Sequence, residues 1–131
     1  MTKRQIRIEH NLNSTSKSNV WELIGTPHGL ARWVADEVEQ DGERLVFMWG
    51  DSPRNQERRE ALMQKSVRYG SMRWCWADDD ADSYVEISMQ KNTLTGQYAL
   101  VVVDFALPDE VDLIMQLWHD NFKKLRMTSG V

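Results

Sequence analysis

The stretch from Asp109 to Met127 constrains the fold more than any other part of the chain. Val111, Ile114, Met115, Trp118, Phe122 and Leu125 recur at i, i+3, i+4, i+7, i+11 and i+14, a spacing that gathers apolar side chains on one stripe of an α-helix. Pro108-Asp109 marks its start. Glu110 and Asp112 then place negative charge at the positive end of the helix dipole, and Lys123, Lys124 and Arg126 place positive charge at the other end. Such a helix is about 28 Å long at ~1.5 Å per residue. An antiparallel sheet of about seven strands at ~4.8 Å spacing is close to 29 Å wide. The helix can therefore lie across the whole sheet, and neither buries its apolar face without the other.

The preceding residues supply the strands. Ile6, Ile8, His10 and Leu12 alternate with Arg7, Glu9 and Asn11, the period of a half-buried strand. Ser16 or Ser18 is placed to cap a short helix whose core residues are Val20, Leu23 and Ile24 and whose end is Gly25. Thr26-Pro27 restarts a second short helix, with Leu30, Trp33 and Val34 repeating the same apolar spacing. Beyond the turn at Asp41-Gly42, Leu45 to Trp49 is a compact apolar segment. A polar loop from Asp51 to Gln56 leads to a weaker strand over Glu57 to Val67. Met72, Trp74 and Trp76 alternate with polar or small neighbours, as do Val85, Ile87 and Met89 after an acidic turn. Gln97 to Phe105, after a turn at Asn92 to Gly96, is apolar on both faces, as an inner strand covered on both sides would be.

Composition narrows the function classes. At 131 residues the chain has the length of one domain, 1–131. Its 16 basic against 20 acidic residues give a net charge of −4, so the positive field that drives non-specific nucleic-acid binding is absent. A single cysteine, Cys75, excludes an intrachain disulfide. The longest apolar run, Tyr98 to Val103, is six residues, well short of the ~20 that span a bilayer. Met1 to Asn13 has no apolar core of an export signal. A cytoplasmic location is the expectation.

A strand, two short helices, a run of antiparallel strands and a long last helix form an uncommon order. In it stand Val20-Trp21, Pro27-His28-Gly29-Leu30-Ala31-Arg32-Trp33, Phe47-Met48-Trp49, Arg73-Trp74-Cys75-Trp76, Glu86-Ile87, Trp118 and Leu125. On these residues the chain resembles a START-like helix-grip domain of the SRPBCC superfamily, and within it the branch homologous to activators of the heat-shock protein 90 ATPase. The resemblance covers nearly the whole chain and implies an α+β fold: a curved antiparallel sheet of six or seven strands wrapped around the C-terminal helix, often with an apolar cavity between them. Members include lipid and hormone carriers, polyketide aromatase/cyclases and chaperone co-activators, so fold alone does not decide function.

Six tryptophans carry the functional expectation. Trp33, Trp49, Trp74, Trp76 and Trp118 fall at inward positions, whereas Trp21 lies off the core stripe of its helix. They either fill a solid core or line a cavity whose indole N–H groups orient a ligand. The expected ligand-facing set is Trp33, Trp49, Trp74, Trp76, Tyr98, Ile114 and Trp118. Three readings follow: a non-enzymatic module binding a small hydrophobic or aromatic ligand; a protein-interaction module resembling chaperone ATPase activators; and a cyclase-like enzyme using His10, Arg73 or Tyr98 for acid/base work. No cofactor and no metal is expected. His10, His28 and His119 are not at zinc spacing. Asp78-Asp79-Asp80-Ala81-Asp82 lacks the turn glycine and the bidentate glutamate of a calcium loop, and reads as a solvated hairpin turn. Arg54 to Glu60 mixes both signs of charge and builds no basic groove.

Overall fold

The computed structural model describes residues 2–50 and 54–131. Seven antiparallel strands form one open sheet in the order β1-β7-β6-β5-β4-β3-β2. The chain enters through an edge strand, β1 (Arg4–Asn11), and crosses to the opposite edge through α1 (Lys17–Gly25) and α2 (Pro27–Leu30). It then winds back strand by strand through β2 (Glu37–Asp41), β3 (Arg44–Trp49), β4 (Glu57–Val67), β5 (Ser71–Trp76), β6 (Val85–Lys91) and β7 (Tyr98–Ala106), which pairs with β1. The last helix, α3 (Val111–Ser129), lies on the inner face. This is the helix-grip arrangement with seven strands.

Local sequence accounts for most boundaries. Ser16 caps α1 by accepting from the Asn19 N–H at 3.3 Å. Thr26 caps α2 by accepting from Gly29 N–H at 3.0 Å, with Pro27 at the first helical position. Gly42, at φ 62°, makes the tight turn between β2 and β3. In β4 the register shifts between Met63 and Lys65, a bulge that bends the strand.

Two expectations need correction, and one strand carries no sequence signal. The second helix is shorter than the Leu30, Trp33, Val34 spacing implies. After Leu30 the backbone tightens into turns, with Arg32 N–H bonded to Gly29 and Trp33 N–H to Leu30, so Trp33 and Val34 reach the core from a turn. Strand β2 has no apolar alternation to announce it: only Val38 is half-buried, and the remaining side chains of this edge strand face solvent. Finally, α3 does not bury its stripe along its full length. Trp118, Phe122 and Leu125 are buried, but Val111, Ile114 and Met115 are only half-buried. The C-terminal half of the helix is anchored: Phe122 stacks on His10 of β1 at 4.4 Å, and Trp118 and Phe122 both meet Trp33. Its first half stands off the curved sheet. Of the expected polar loop, residues 51–53 lie outside the described residues.

Candidate functional site: an aromatic cavity beneath the last helix

The space left between the first half of α3 and strands β3 to β7 is a cavity of about 640 Å³. Its aromatic wall begins with Phe47, which is fully buried and packs against Trp74 and Trp76, each 5.0 Å away between ring centres. Over this base stand Trp49, Trp74 and Trp76, the last two edge-to-face at 6.0 Å and 82°. Trp118 and Ile114 close the side formed by the helix, and the Asp104–Phe105 stretch borders it from β7. The alternation of β5 puts Trp74 and Trp76 on the inner face, and that of β3 does the same for Phe47 and Trp49.

Five of the seven residues expected to face a ligand thus meet in one place: Trp49, Trp74, Trp76, Ile114 and Trp118. The other two lie elsewhere. Trp33 is wholly buried and donates its indole N–H to the Leu23 carbonyl at 2.9 Å, tying α2 to α1. Tyr98 is buried at the start of β7, its backbone paired with Leu12 and Ser14. Neither lines the cavity. The proposed acid/base side chains are also dispersed. Arg73 projects from the outer face, paired with Glu86 and stacked over Tyr84 at 3.9 Å, and His10 is held face-to-face against Phe122.

The polar part of the site comes mostly from residues that periodicity did not single out. Asp104 lies on the inward parity of β7, in line with Leu100 and Val102, and is directly opposite Ile6 of β1. Its carboxylate accepts from the Trp118 indole N–H at 2.8 Å and from the Phe105 backbone N–H at 2.7 Å. Burial pushes this carboxyl above the ordinary range, opposed by those two bonds and by the charges of Arg59 and Lys3. An acidic residue at an inward position of an apolar strand was the signal available in the sequence. Asp79, from the acidic turn, lines the site too, and the exposed Asp78 beside it holds one of the lining cations. Asp79 holds the Lys3 ammonium at 2.6 Å, and Asp78 holds the Arg59 guanidinium at 2.9 Å. Burial opposes ionisation of Asp79, but Lys3 and the Asp80 N–H outweigh it and hold the group below the usual carboxylate range. Arg59 also lies over the Trp76 ring at 4.1 Å, a cation–π contact.

Two wall indoles have internal acceptors for their N–H groups: Trp118 uses Asp104, and Trp49 uses the Val34 carbonyl at 3.1 Å. The Trp74 N–H is buried and meets no acceptor among the described residues. A buried donor left unpaired costs roughly 1–3 kcal/mol. Cys75, by contrast, is poorly suited to nucleophilic chemistry. Burial and the neighbouring Asp79 push its thiol up, and its Sγ donates to the Ser83 carbonyl at 3.0 Å.

His10 gives a pH-dependent prediction outside the cavity. Burial first, then the positive charges of His119 and Arg126, hold its imidazole below the ordinary value. As pH falls through ~6.5 the unfolded chain takes up the proton before the folded state does. This contribution to stability is therefore present above that pH and lost below it. The melting temperature should fall more between about pH 7.5 and about pH 5.5 in the native chain than in His10→Phe, which keeps a ring against Phe122. Equal falls in thermal melts would remove His10 as the cause.

A family model described as the START-like superfamily domain matches residues 1–131. The chain belongs to the START-like superfamily. Among solved structures, this START-like chain is 40% identical to BfR322 from Bacteroides fragilis, with a TM-score of 0.65 over 98% of this chain and 92% of that one. It shares the fold of the Aha1 dimer from Colwellia psychrerythraea at 11% identity and a TM-score of 0.71, covering 97% and 98% of the two chains. It also shares the fold of DynU16, a protein of the dynemicin biosynthetic locus, at 16% identity and a TM-score of 0.74, covering 96% of this chain and 48% of that one. No curated protein matches the chain. No described helix is long and apolar enough to cross a membrane.

Proposed function

We propose that this START-like chain is a non-enzymatic module that holds a small hydrophobic or aromatic molecule in the cavity between the sheet and the first half of α3. The observation that carries the reading is the stand-off of that half-helix, which leaves about 640 Å³ walled by Trp49, Trp74, Trp76 and Trp118. Ligand sites commonly enclose ~300–1,000 Å³ with apolar walls and a few placed polar groups. A solid core would instead have brought Ile114 and Met115 down onto the sheet. Titration with a flat apolar probe such as an alkylnaphthalene should quench tryptophan fluorescence saturably at one site per chain. Trp76→Ala, which removes a partly exposed wall ring, should weaken that binding about ten-fold, the order set by losing one aromatic contact face. Absence of saturable quenching in the native chain would overturn the reading.

A second reading, an interaction surface like that of chaperone ATPase activators, is favoured by Leu113 and Leu117. Both project from α3 and are 69% and 51% exposed. They form a small apolar patch beside the cavity mouth, where Leu117 also contributes to the lining.

A further inference from the structure

One cross-strand row of the cavity floor ends in its acidic group. Trp74 of β5 pairs with Val85 of β6. The register Glu86 to Val103, carried one residue further, sets Val85 beside Asp104 of β7. Trp74 and Asp104 are therefore on the same face, two strands and about 10 Å apart along the backbone, with Val85 between them on the cavity floor. The Trp74 end of the row is fully buried and closed to an incoming group, whereas the other end presents a carboxylate whose two bonds leave further lone pairs open.

Charge decides what kind of group fits the acidic end. Among the described residues the lining holds four carboxylates, Glu57, Asp79, Asp104 and Glu110, against two cations, Lys3 and Arg59. Both cations are held by aspartates, Lys3 by Asp79 and Arg59 by Asp78. No described cation forms an ion pair with Asp104, whose partners are both N–H groups. An anionic headgroup entering here would be desolvated beside Asp104 with no free counter-charge. A protonated amine would meet a charge-assisted acceptor and the electron-rich faces of the tryptophans.

We propose that the molecule taken up is an aromatic amine, its ammonium donating to Asp104 and its ring lying against the tryptophan wall. This deepens the cavity-binding reading and rests on it. The test compares three probes of one shape by isothermal titration calorimetry near neutral pH: a methoxynaphthyl ethylamine, the matching methoxynaphthyl acetic acid, and the neutral ethyl methoxynaphthalene. In the native chain the amine should bind at least about ten-fold more tightly than the acid, the discrimination expected of a charge-assisted hydrogen bond. Asp104→Asn should erase that gap while the neutral probe still binds. If the acid binds as tightly as the amine, or the gap survives in Asp104→Asn, the proposal is overturned. If the neutral probe binds but charge makes no difference, only this inference falls. If no probe binds the native chain, the cavity reading falls with it. The native charge series decides the matter even where a variant folds poorly.

Discussion

Trp118→Ala is expected to lower the unfolding free energy by about 3–5 kcal/mol, the range for removing a buried large aromatic side chain. The ring is 3% exposed and meets Trp33 edge-on at 5.9 Å and Phe122 at 6.4 Å. It is the residue at which α3 turns from anchored to free: Phe122 and Leu125 beyond it are buried, Ile114 and Met115 before it are not. Its loss would leave a void and also strip Asp104 of the indole N–H it accepts, and a buried charge deprived of a partner adds to the cost. A chain of this length is expected to have a total stability of only ~6–20 kcal/mol, so the variant should show a clearly lower denaturation midpoint in urea. Trp118→Phe separates the two contributions, keeping most of the ring while removing the N–H. A loss below about 1 kcal/mol in Trp118→Ala would mean that this ring does not anchor the helix.

Gly29→Ala should be as damaging, although it adds one methyl group. A Cβ at this position would fall 1.8 Å from the Glu22 carbonyl oxygen and 2.7 Å from the Leu23 Cα. Both are backbone atoms of α1, so no side-chain rotation relieves the overlap. The two helices would have to separate, breaking the Trp33 indole bond to Leu23 and loosening the Thr26 hydroxyl bond to Glu22, now 2.9 and 2.7 Å. Overpacking of a close-packed site costs ~1–3 kcal/mol and more where backbone must move, so a loss of about 3 kcal/mol or greater is expected in thermal or chemical denaturation. A variant melting within about 1 kcal/mol of the native chain would show that α1 and α2 separate without penalty. This contact was invisible beforehand: Gly29 sits inside the Pro27-to-Trp33 segment that carries the family resemblance, but nothing local says that a neighbouring helix passes within bonding distance of its Cα hydrogen.

Particular residues show where legibility ended. Alternation alone puts Ile6, Ile8 and Leu12 on one inward face, and all three are buried. The two-sided apolar run ending at Phe105 became β7, which pairs on both sides and carries the helix over one face. In contrast, β2 leaves no mark in the sequence, because an edge strand with one half-buried side chain has no alternation to read. Asp104 was hidden in a run judged by its apolar neighbours, and Asp79 in a turn judged by its acidic ones, because a carboxylate's partners lie on other strands. Lys3 is 76 residues from the Asp79 it holds.

The amino-acid sequence by itself determined most of the elements and which face of each turns inward, because strand alternation and helical spacing are local properties enforced by backbone geometry. It also determined, through its ordering of elements, that the last helix must be gripped by a sheet. Whether that grip is complete was decided only by the tertiary structure. The curvature of seven paired strands and the anchoring of α3 through Trp118, Phe122 and Leu125 leave the first half of the helix raised, and that separation creates the space bordered by Asp104 and the tryptophan wall. The width of a gap between two distant segments depends on bends and side-chain volumes summed over the whole sheet, and no periodicity within either segment records it.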